Sequence, residues 1–392
     1  MALVAALPSL RGSGDGVMGV THQWASALLH GQSPYSAPGL AYPPLAMFLF
    51  TLPGLGGTGI STYQVTFPLL VLAADFAGLL WAWRAERDGR RQTALTYTLA
   101  LPMVGPLLLL WRYDPLPAIC HLAALVYALR GRRTASWLWL GIGIALKPYL
   151  IVVAPFWLIW ELRAHEPGVL ARTARGVLFV VGPSIVAAAA LAPIAGGDIV
   201  SAYSGQISRG LQLESIPAVF LAQFGASRSS FSQDCLCWER IGPAASIVKT
   251  EFTVFMVLML IGLAVWFFRT PDANRLVAAS CAAMVAVLLT YQVFSPQFLV
   301  WPIPPMALLA WDSRRRWAIV LVAVAAILAA YGYPWQYVSE INFTGIGRWL
   351  LLGRIPLLAG AFALLVAEEA QRAPSADPPG PPTSSQQGGR VS

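Results

Sequence analysis

The amino-acid sequence predicts an all-α integral membrane protein, a polytopic helical bundle that crosses the bilayer many times. Of its 392 residues, 57% are hydrophobic and only 11% are charged, whereas about a quarter of the residues in a soluble domain are charged. The charges fall in short clusters between long apolar stretches, and the mean hydropathy is +0.63. In water these stretches would form large exposed apolar patches, so the sequence predicts that they face lipid.

Seven apolar stretches approach the length of about 20 residues that a helix needs to cross the hydrocarbon core. They lie at 61–83, 93–111, 176–195, 247–268, 276–291, 317–333 and 349–367. Shorter apolar segments lie at 43–55, 115–129, 134–146, 149–160 and 298–311. Several of these begin or break at proline, and broken helices are tolerated where protein covers them or where they line a cavity. We therefore expect 10–11 membrane helices, some of them broken.

The basic residues predict the orientation of this bundle. Five clusters can be placed on one side of the membrane: Arg84/Arg87/Arg90/Arg91, Arg130/Arg132/Arg133, Arg163/Arg172/Arg175, Arg269/Arg275 and Arg314/Arg315/Arg316. An excess of arginine and lysine marks the cytoplasmic side. The opposite, extracytoplasmic side then receives 11–42, 112–114, 147–148, 196–246, 292–297 and 334–348.

Both ends of the chain carry specific expectations. Residues 1–372 are predicted to form a single transmembrane domain, and the Pro/Gly/Ser/Gln-rich residues 373–392 a disordered cytoplasmic tail. Residues 1–10 are apolar but too short to span, so we expect the first membrane helix to be incomplete. Residues 43–83 hold two apolar segments but must cross an odd number of times, so we expect one segment only to dip into the membrane.

The composition also excludes several classes of function. The formal net charge is +8, but the arginines lie at the ends of apolar spans, so the charge reports topology and not a nucleic-acid partner. No set of His, Asp and Glu residues forms a metal site, and no phosphate-binding glycine loop is present, so we expect no metal and no cofactor. Cys235 and Cys237 form a C-x-C pair whose spacing is poor geometry for a disulfide.

Five polar clusters fall on the predicted extracytoplasmic side. The first is the segment from Asp15 through Trp24 to Tyr42-Pro43-Pro44, which includes an amphipathic stretch expected to lie along the interface. The other four are Arg112-Tyr113-Asp114, Lys147-Pro148-Tyr149, the run from Arg209 to Pro217, and the segment from Tyr291 to Trp301. Each is weak alone, but a topology set by other residues places all five together.

These clusters, in this order, resemble the GT-C superfamily of polyprenyl-phosphate-sugar-dependent glycosyltransferases. The similarity is greatest to the bacterial polyprenyl-phosphate-mannose-dependent alpha-mannosyltransferases. It covers most of residues 11–360 and rests on ordered pieces. Those pieces are Asp15, Trp24-Ala25, Leu28-Leu29, Gly31, Pro34-Tyr35, Tyr42-Pro43-Pro44-Leu45, Arg112-Tyr113-Asp114, Lys147-Pro148, Arg209 to Pro217 and Ser295-Pro296-Gln297.

The resemblance implies a GT-C-like fold and an inverting transfer of a hexose, with mannose expected. Asp15 would be the general base that deprotonates an acceptor hydroxyl. Lys147 and Arg209, with Arg112, would contact the donor phosphate, since a departing lipid phosphate needs cations beside it. The remaining substrate-binding residues would be Gln212, Ser295 and Gln297 for sugar hydroxyls, Glu214 for the acceptor, and Tyr42. The implied partners are a polyprenyl-phosphate sugar donor, a glycolipid or envelope-glycan acceptor, and membrane lipid, with the active site on the outer side of the cell membrane.

Other interpretations of the same residues stay open at the level of sequence. Asp15 could be a solvated carboxylate of a glycine-rich loop, Lys147 a plain interfacial anchor, and Arg112 with Asp114 an ion pair that closes a short turn. The transferred sugar could be arabinofuranose or another sugar. The protein could also be a transporter of lipid-linked material or a non-catalytic component of envelope-glycan assembly.

Overall fold

A computed structural model describes residues 8–36, 42–57, 59–85, 92–105, 109–163, 167–200, 209–224, 227–232, 237–309, 314–333 and 335–367, with the backbone alone for 8–17. The described chain is mostly helical, as the sequence predicts. Six of its helices are long and apolar enough to cross a membrane. The protein is therefore a multi-pass membrane protein. The predicted tail at 373–392 lies outside the described residues.

The N-terminal part of the chain differs from the prediction in two places. The first four helices are Pro8–Leu29 (α1), Pro44–Gly54 (α2), Ile60–Ala85 (α3) and Gln92–Ala100 (α4). Helix α1 covers Asp15, so this residue lies in a helix and not in the glycine-rich loop that one interpretation of the sequence allowed. The predicted span 93–111 is broken, because Pro102 lacks an amide hydrogen and Gly105 turns the chain at a φ of 86°.

Helix α2 is the segment within 43–83 that is too short to cross the membrane. Its 11 residues correspond to a length of about 16 Å, about half the hydrocarbon thickness. It packs against the start of α3, where the Tyr63 hydroxyl donates to the Phe50 carbonyl at 3.0 Å. Only α3, with 26 residues, is long enough to cross in this region.

A helical hairpin forms the middle of the bundle. Its arms are Pro115–Leu129 (α5) and Arg133–Leu146 (α6), and they end within one residue of the predicted segments. Pro115 begins α5 where no amide donor is needed, and Gly131 turns the chain at a φ of 70°. The next elements are a 3₁₀ segment at Pro148–Val153, then Ala154–Leu162 (α7) and Val169–Ala195 (α8).

The long segment before the next span forms a small sheet that the sequence did not predict. Its strands are Leu211–Gln212 (β1), Arg228–Ser232 (β2) and Cys237–Ile241 (β3), all antiparallel in the order β1-β3-β2. Between β1 and β2 lies the short helix Ile216–Phe224 (α9). Cys237 is disulfide-bonded, which contradicts the expectation from the C-x-C spacing.

The C-terminal half supplies the centre of the bundle. Its helices are Ala245–Arg269 (α10), Ala273–Thr290 (α11), Ile303–Met306 (α12), Trp317–Gly332 (α13), Tyr337–Asn342 (α14) and Gly345–Val366 (α15). In α11, 78% of the residues of the apolar stretch are buried, whereas in α10 only 11% are buried. The small residues of α11 allow close approach of neighbouring helices, whereas α10 exposes its apolar surface to lipid.

The helices leave polar residues at two opposite ends of the bundle. At the end that we call the arginine end, Arg133 and Arg172 meet Glu161, and Arg275 and Arg315 lie over the Trp266 ring. The end where α5 begins and α6 finishes carries Asp114 and Lys147, and we call it the Asp114 end. This arrangement agrees with the prediction that these arginine clusters share one side.

Candidate functional site

The Asp114 carboxylate is the centre of the Asp114 end. Its Oδ1 atom accepts hydrogen bonds from Lys147 Nζ at 2.6 Å and from Trp301 Nε1 at 2.7 Å. The side chain of Asp114 is 2% exposed and that of Lys147 is 12% exposed. Asp114 directly precedes α5 and Lys147 directly follows α6, so the hairpin places the two charges side by side. The ion pair of Asp114 is therefore with Lys147, and not with Arg112 across a turn.

Aromatic rings surround the Lys147 ammonium. Its Nζ atom lies 5.0 Å from the ring centroid of Tyr113, 4.7 Å from that of Phe298 and 5.3 Å from that of Trp301. The Tyr149 ring stacks on Trp301 at 3.7 Å with an interplanar angle of 5°. Ring faces attract a cation, and more strongly where water is excluded. Lys147 is thus held by a carboxylate and aromatic faces, and it does not extend into water as a simple interfacial anchor would.

Two arginines act electrostatically on the same ammonium. Burial lowers the pKa of Lys147, the Asp114 carboxylate opposes that shift, and Arg112 and Arg209 lower the pKa further. Burial also raises the pKa of the Tyr42 phenol. The Asp114 charge raises this pKa further, and Arg112 and Arg209 lower it. These five side chains therefore form one electrostatic unit, which we call the Asp114 cluster.

Tyr42 brings the N-terminal part of the chain to this cluster. Its ring centroid lies 5.3 Å from Tyr113 and 5.3 Å from Trp24 of α1. The Tyr35 hydroxyl donates to the Tyr42 carbonyl at 2.9 Å. The prolines that follow Tyr42 turn the chain into α2, so the position of the phenol is set from both sides.

The small sheet positions Arg209. Lys249 Nζ donates to the Arg209 carbonyl at 2.7 Å, and the Gly210 amide donates to Glu239 Oε1 at 3.0 Å. A side chain at Gly210 would meet the Glu239 carboxylate at 2.6 Å, so a larger residue there would displace that carboxylate. Arg209 Nη2 also lies 3.5 Å from the Sγ atom of Cys237.

The residues predicted to hold sugar hydroxyls lie nearby. The backbone N–H of Gln212 donates to the backbone carbonyl of Gln292 at 2.9 Å. The side-chain Oε1 of Gln212 has no hydrogen-bond partner among the described residues. Ser295 Oγ donates to Gln297 Oε1 at 2.6 Å. Gln212 Oε1 can therefore accept a further hydrogen bond, whereas the Ser295 hydroxyl already donates its proton to Gln297.

A second polar group lies beside the first. Glu214, Glu340 and Arg354 are 5%, 1% and 2% exposed. Arg354 Nη2 donates to the Glu214 carbonyl at 3.3 Å. Among the described residues, Glu214 Oε1 and both carboxylate oxygens of Glu340 have no hydrogen-bond partner. A side chain at Gly332 would overlap the Glu340 carboxylate, so this glycine provides its space. Arg354 thus contacts Glu214 through its backbone carbonyl and acts on the two buried carboxyl groups through its charge.

This arrangement changes the protonation of both acids. Burial raises the pKa of Glu214 to about 8; the Glu340 charge adds to the rise, and Arg354 and Arg112 oppose it. Burial raises the pKa of Glu340 to about 7, with Arg354 opposing. At neutral pH the Glu214 carboxyl is therefore mostly protonated and can donate a hydrogen bond. Arg112 connects the two groups.

The structure brings together four of the nine site residues predicted from the sequence. These four, Tyr42, Arg112, Lys147 and Arg209, belong to the Asp114 cluster. The backbone of Asp15 lies in α1, but its side chain is outside the described residues, so its role as the base stays a prediction. Sequence reasoning missed Glu340 and Arg354. The signal for Arg354 was an arginine within an apolar span, which is typical of functional sites.

No protein-family model matches the chain, and no curated protein matches it either. The proposals below therefore rest on the residues and geometry of the site.

Proposed function

We propose that the protein is a membrane glycosyltransferase that uses a polyprenyl-phosphate sugar donor at the Asp114 end. The observation that carries this proposal is the placement of Lys147, Arg112 and Arg209 in one electrostatic unit beside aromatic rings. A donor of this class has a phosphate, a sugar and a lipid chain. Cations, hydrogen-bonding groups and apolar surface at the end of a membrane bundle suit these three parts.

The charge balance favours an anionic ligand. The cations Arg112, Lys147 and Arg209 face Asp114 and, near Arg209, Glu239. Because Glu214 is mostly protonated at neutral pH, it removes little of this positive charge. These three cations outnumber the two carboxylates, and Lys249 beside the Arg209 carbonyl adds to the excess of positive charge. A phosphate would reduce this excess while accepting charge-assisted hydrogen bonds.

The proposed reaction is an inverting transfer to a hydroxyl acceptor. The Asp15 carboxylate takes the proton of the hydroxyl, whose oxygen attacks the anomeric carbon from the face opposite the phosphate. The bond between the anomeric carbon and the phosphate oxygen breaks, and its electron pair leaves with the polyprenyl phosphate. Lys147, Arg112 and Arg209 stabilise that negative charge. Protonated Glu214 donates a hydrogen bond to the acceptor or donor, and Gln212 accepts one from a sugar hydroxyl.

The proposed donor is a polyprenyl-phosphate hexose, with mannose first, and the proposed acceptor is a glycolipid or envelope glycan on the extracytoplasmic side. The full chain in lipid would be given radiolabelled polyprenyl-phosphate mannose and an envelope glycolipid extract. We expect wild type to transfer label into glycolipid and Asp15→Asn to lose at least about 100-fold of that rate, since it lacks a base.

Asp198→Asn is the matched control, because Asp198 is an exposed acid that accepts a hydrogen bond from Ser33 at 3.1 Å. It should keep nearly the full rate. Full transfer by Asp15→Asn would exclude Asp15 as the base. Label that crosses the membrane without a new glycosidic bond would favour a transporter, and donor binding with transfer only of arabinofuranose would change the sugar assignment.

A further inference from the structure

An open groove lies at the arginine end, opposite the Asp114 cluster. It has a volume of about 830 Å³ and opens between the start of α6 and the start of α8. A recess of about 50 Å³ adjoins it and shares several of its lining residues. The two helices approach closely further along, where a side chain at Gly141 would overlap the Phe179 carbonyl. Near the arginine end they are also in contact, since a side chain at Gly176 would meet the Trp137 ring at 2.6 Å, and the groove lies beside this contact.

The groove has a strongly positive lining. Arg132, Arg133 and Arg172 line it, and Arg175 lines the recess. Among the described residues that line the groove and the recess, the one acid is Glu161, whose Oε1 atom accepts from Arg133 Nη1 at 3.2 Å and from Arg172 Nε at 2.9 Å. The four guanidinium groups and one carboxylate of this described lining carry a net charge of +3. Arg132 and Arg175 are exposed, so their charges are available to a ligand.

The recess also presents a buried hydrogen-bond donor. Trp137 is 2% exposed and lines the recess, and its Nε1–H has no hydrogen-bond partner among the described residues. A buried donor without a partner is destabilising. A ligand oxygen that enters the recess would satisfy this donor. The positive charge and the donor therefore both favour an oxyanion.

The surroundings of the groove are those of a lipid-facing surface. Leu138 and Phe179 line the groove beside the arginines. Further along α8, Leu178 and Ile185 are 65% and 58% exposed, which in a membrane protein is contact with acyl chains. A phosphate held by the arginines would have apolar surface directly below it. Basic pockets between membrane helices bind anionic lipid headgroups because they combine positive charge with adjacent apolar surface.

From this juxtaposition of four arginines, a buried indole donor and a lipid-facing apolar wall we infer that the groove between α6 and α8 binds the phosphate of an anionic phospholipid. The phosphate lies against Arg132 and Arg175 at the mouth, and an oxygen reaches toward Trp137. The acyl chains follow Leu138 and the exposed face of α8. This site is at the opposite end of the bundle from the proposed glycosyl transfer and is independent of it.

The test uses the detergent-solubilised full chain and its thermal unfolding during titration with dioleoyl phosphatidylglycerol, dioleoyl phosphatidylcholine or inorganic phosphate. We expect only phosphatidylglycerol to raise the unfolding temperature at micromolar concentration. Arg132→Gln/Arg175→Gln should weaken this effect about 30-fold, because each arginine near an anionic lipid contributes a factor of about five.

Arg269→Gln/Arg314→Gln is the matched control. It removes the same charge from exposed positions at the same end that do not line the groove, and it should leave the affinity unchanged. Equal weakening by the control would show general attraction to anionic surfaces and would overturn the inference. Equal stabilisation by inorganic phosphate, or by phosphatidylcholine, would also overturn it. Native mass spectrometry of the same samples counts the bound lipids and keeps the test valid if a variant unfolds early.

Discussion

The two polar ends of the bundle hold charge in opposite ways. At the Asp114 end, Lys147 is 12% exposed and its charge is already matched by Asp114 and aromatic faces within the protein. At the arginine end, Arg132 and Arg175 are exposed, and the described lining holds four arginines and one acid, Glu161. A buried pair makes each partner necessary to the other, whereas an open cluster leaves charge available for an external ligand. Loss of a charge should therefore cost more stability at the Asp114 end than at the arginine end.

The largest effect that follows from this comparison is expected for Lys147→Met. The substitution leaves the buried Asp114 carboxylate with Trp301 alone, and breaking a buried pair costs about 3–5 kcal/mol. Thermal unfolding in detergent measures the loss. Asp114→Asn/Lys147→Met removes both charges and should recover a large part of it, which a double-mutant cycle quantifies. A cost below about 1 kcal/mol for Lys147→Met would show that the two ends do not differ in this way.

A smaller effect is expected from pH, again at the Asp114 end alone. Burial raises the folded-state pKa values of Glu214 and Glu340 to about 8 and about 7, above their ordinary values, so folding takes up protons. This contribution to stability is complete below the unfolded pKa and is lost as pH rises through the folded pKa. We expect the unfolding free energy to fall by about 2 kcal/mol per pH unit between pH 6 and pH 8.

Glu340→Gln should flatten this pH dependence, because it removes one titrating acid and the charge that raises the pKa of the other. Glu251→Gln provides the control, since Glu251 is an exposed acid on α10. Unfolding followed in buffers from pH 6 to pH 9 gives the slope of each variant. If the unfolding free energy of Glu340→Gln fell with pH as steeply as that of wild type, these carboxyl groups would not be the cause of the pH dependence.

The smallest effect is expected at the arginine end. Without added lipid, Arg132→Gln/Arg175→Gln should change the unfolding free energy by no more than about 0.5 kcal/mol, because exposed side chains away from buried partners contribute little. Thermal unfolding in lipid-free detergent tests this. A loss comparable to that of Lys147→Met would mean that these arginines are structural.

The sequence predicted the helices well where charges and prolines bound them. The segment 115–129 lies between Asp114-Pro115 and Arg130, and the structure ends α5 at those residues. The break after Ala100 was missed, because the apolar stretch continues through Pro102 and Gly105 and only the backbone reveals the turn. The sheet at 211–241 was missed as well, because its strands are short and one has only two residues.

The sequence could predict that the site residues share one side of the membrane, but it could not predict which residues pair with each other. The five clusters were placed together by arginine distribution alone, and the Asp114 cluster joins residues from four of them. The pairing of Asp114 with Lys147 could not be predicted, since Arg112 is nearer in sequence and the hairpin geometry decides. Glu340 and Arg354 meet Glu214 across more than 120 residues, and no spacing rule reaches that far.

The length of the α5–α6 hairpin has a further consequence. Helix α5 has 15 residues and a length of about 22 Å, against a hydrocarbon core of about 30 Å, while α3 and α8 at the rim have 26 and 27 residues. The hairpin is therefore about 8 Å shorter than the hydrocarbon core, so at least one of its polar ends must lie below the membrane interface. There protein, and not water, has to satisfy the charges, as Trp301 and the aromatic rings do for the Asp114–Lys147 pair.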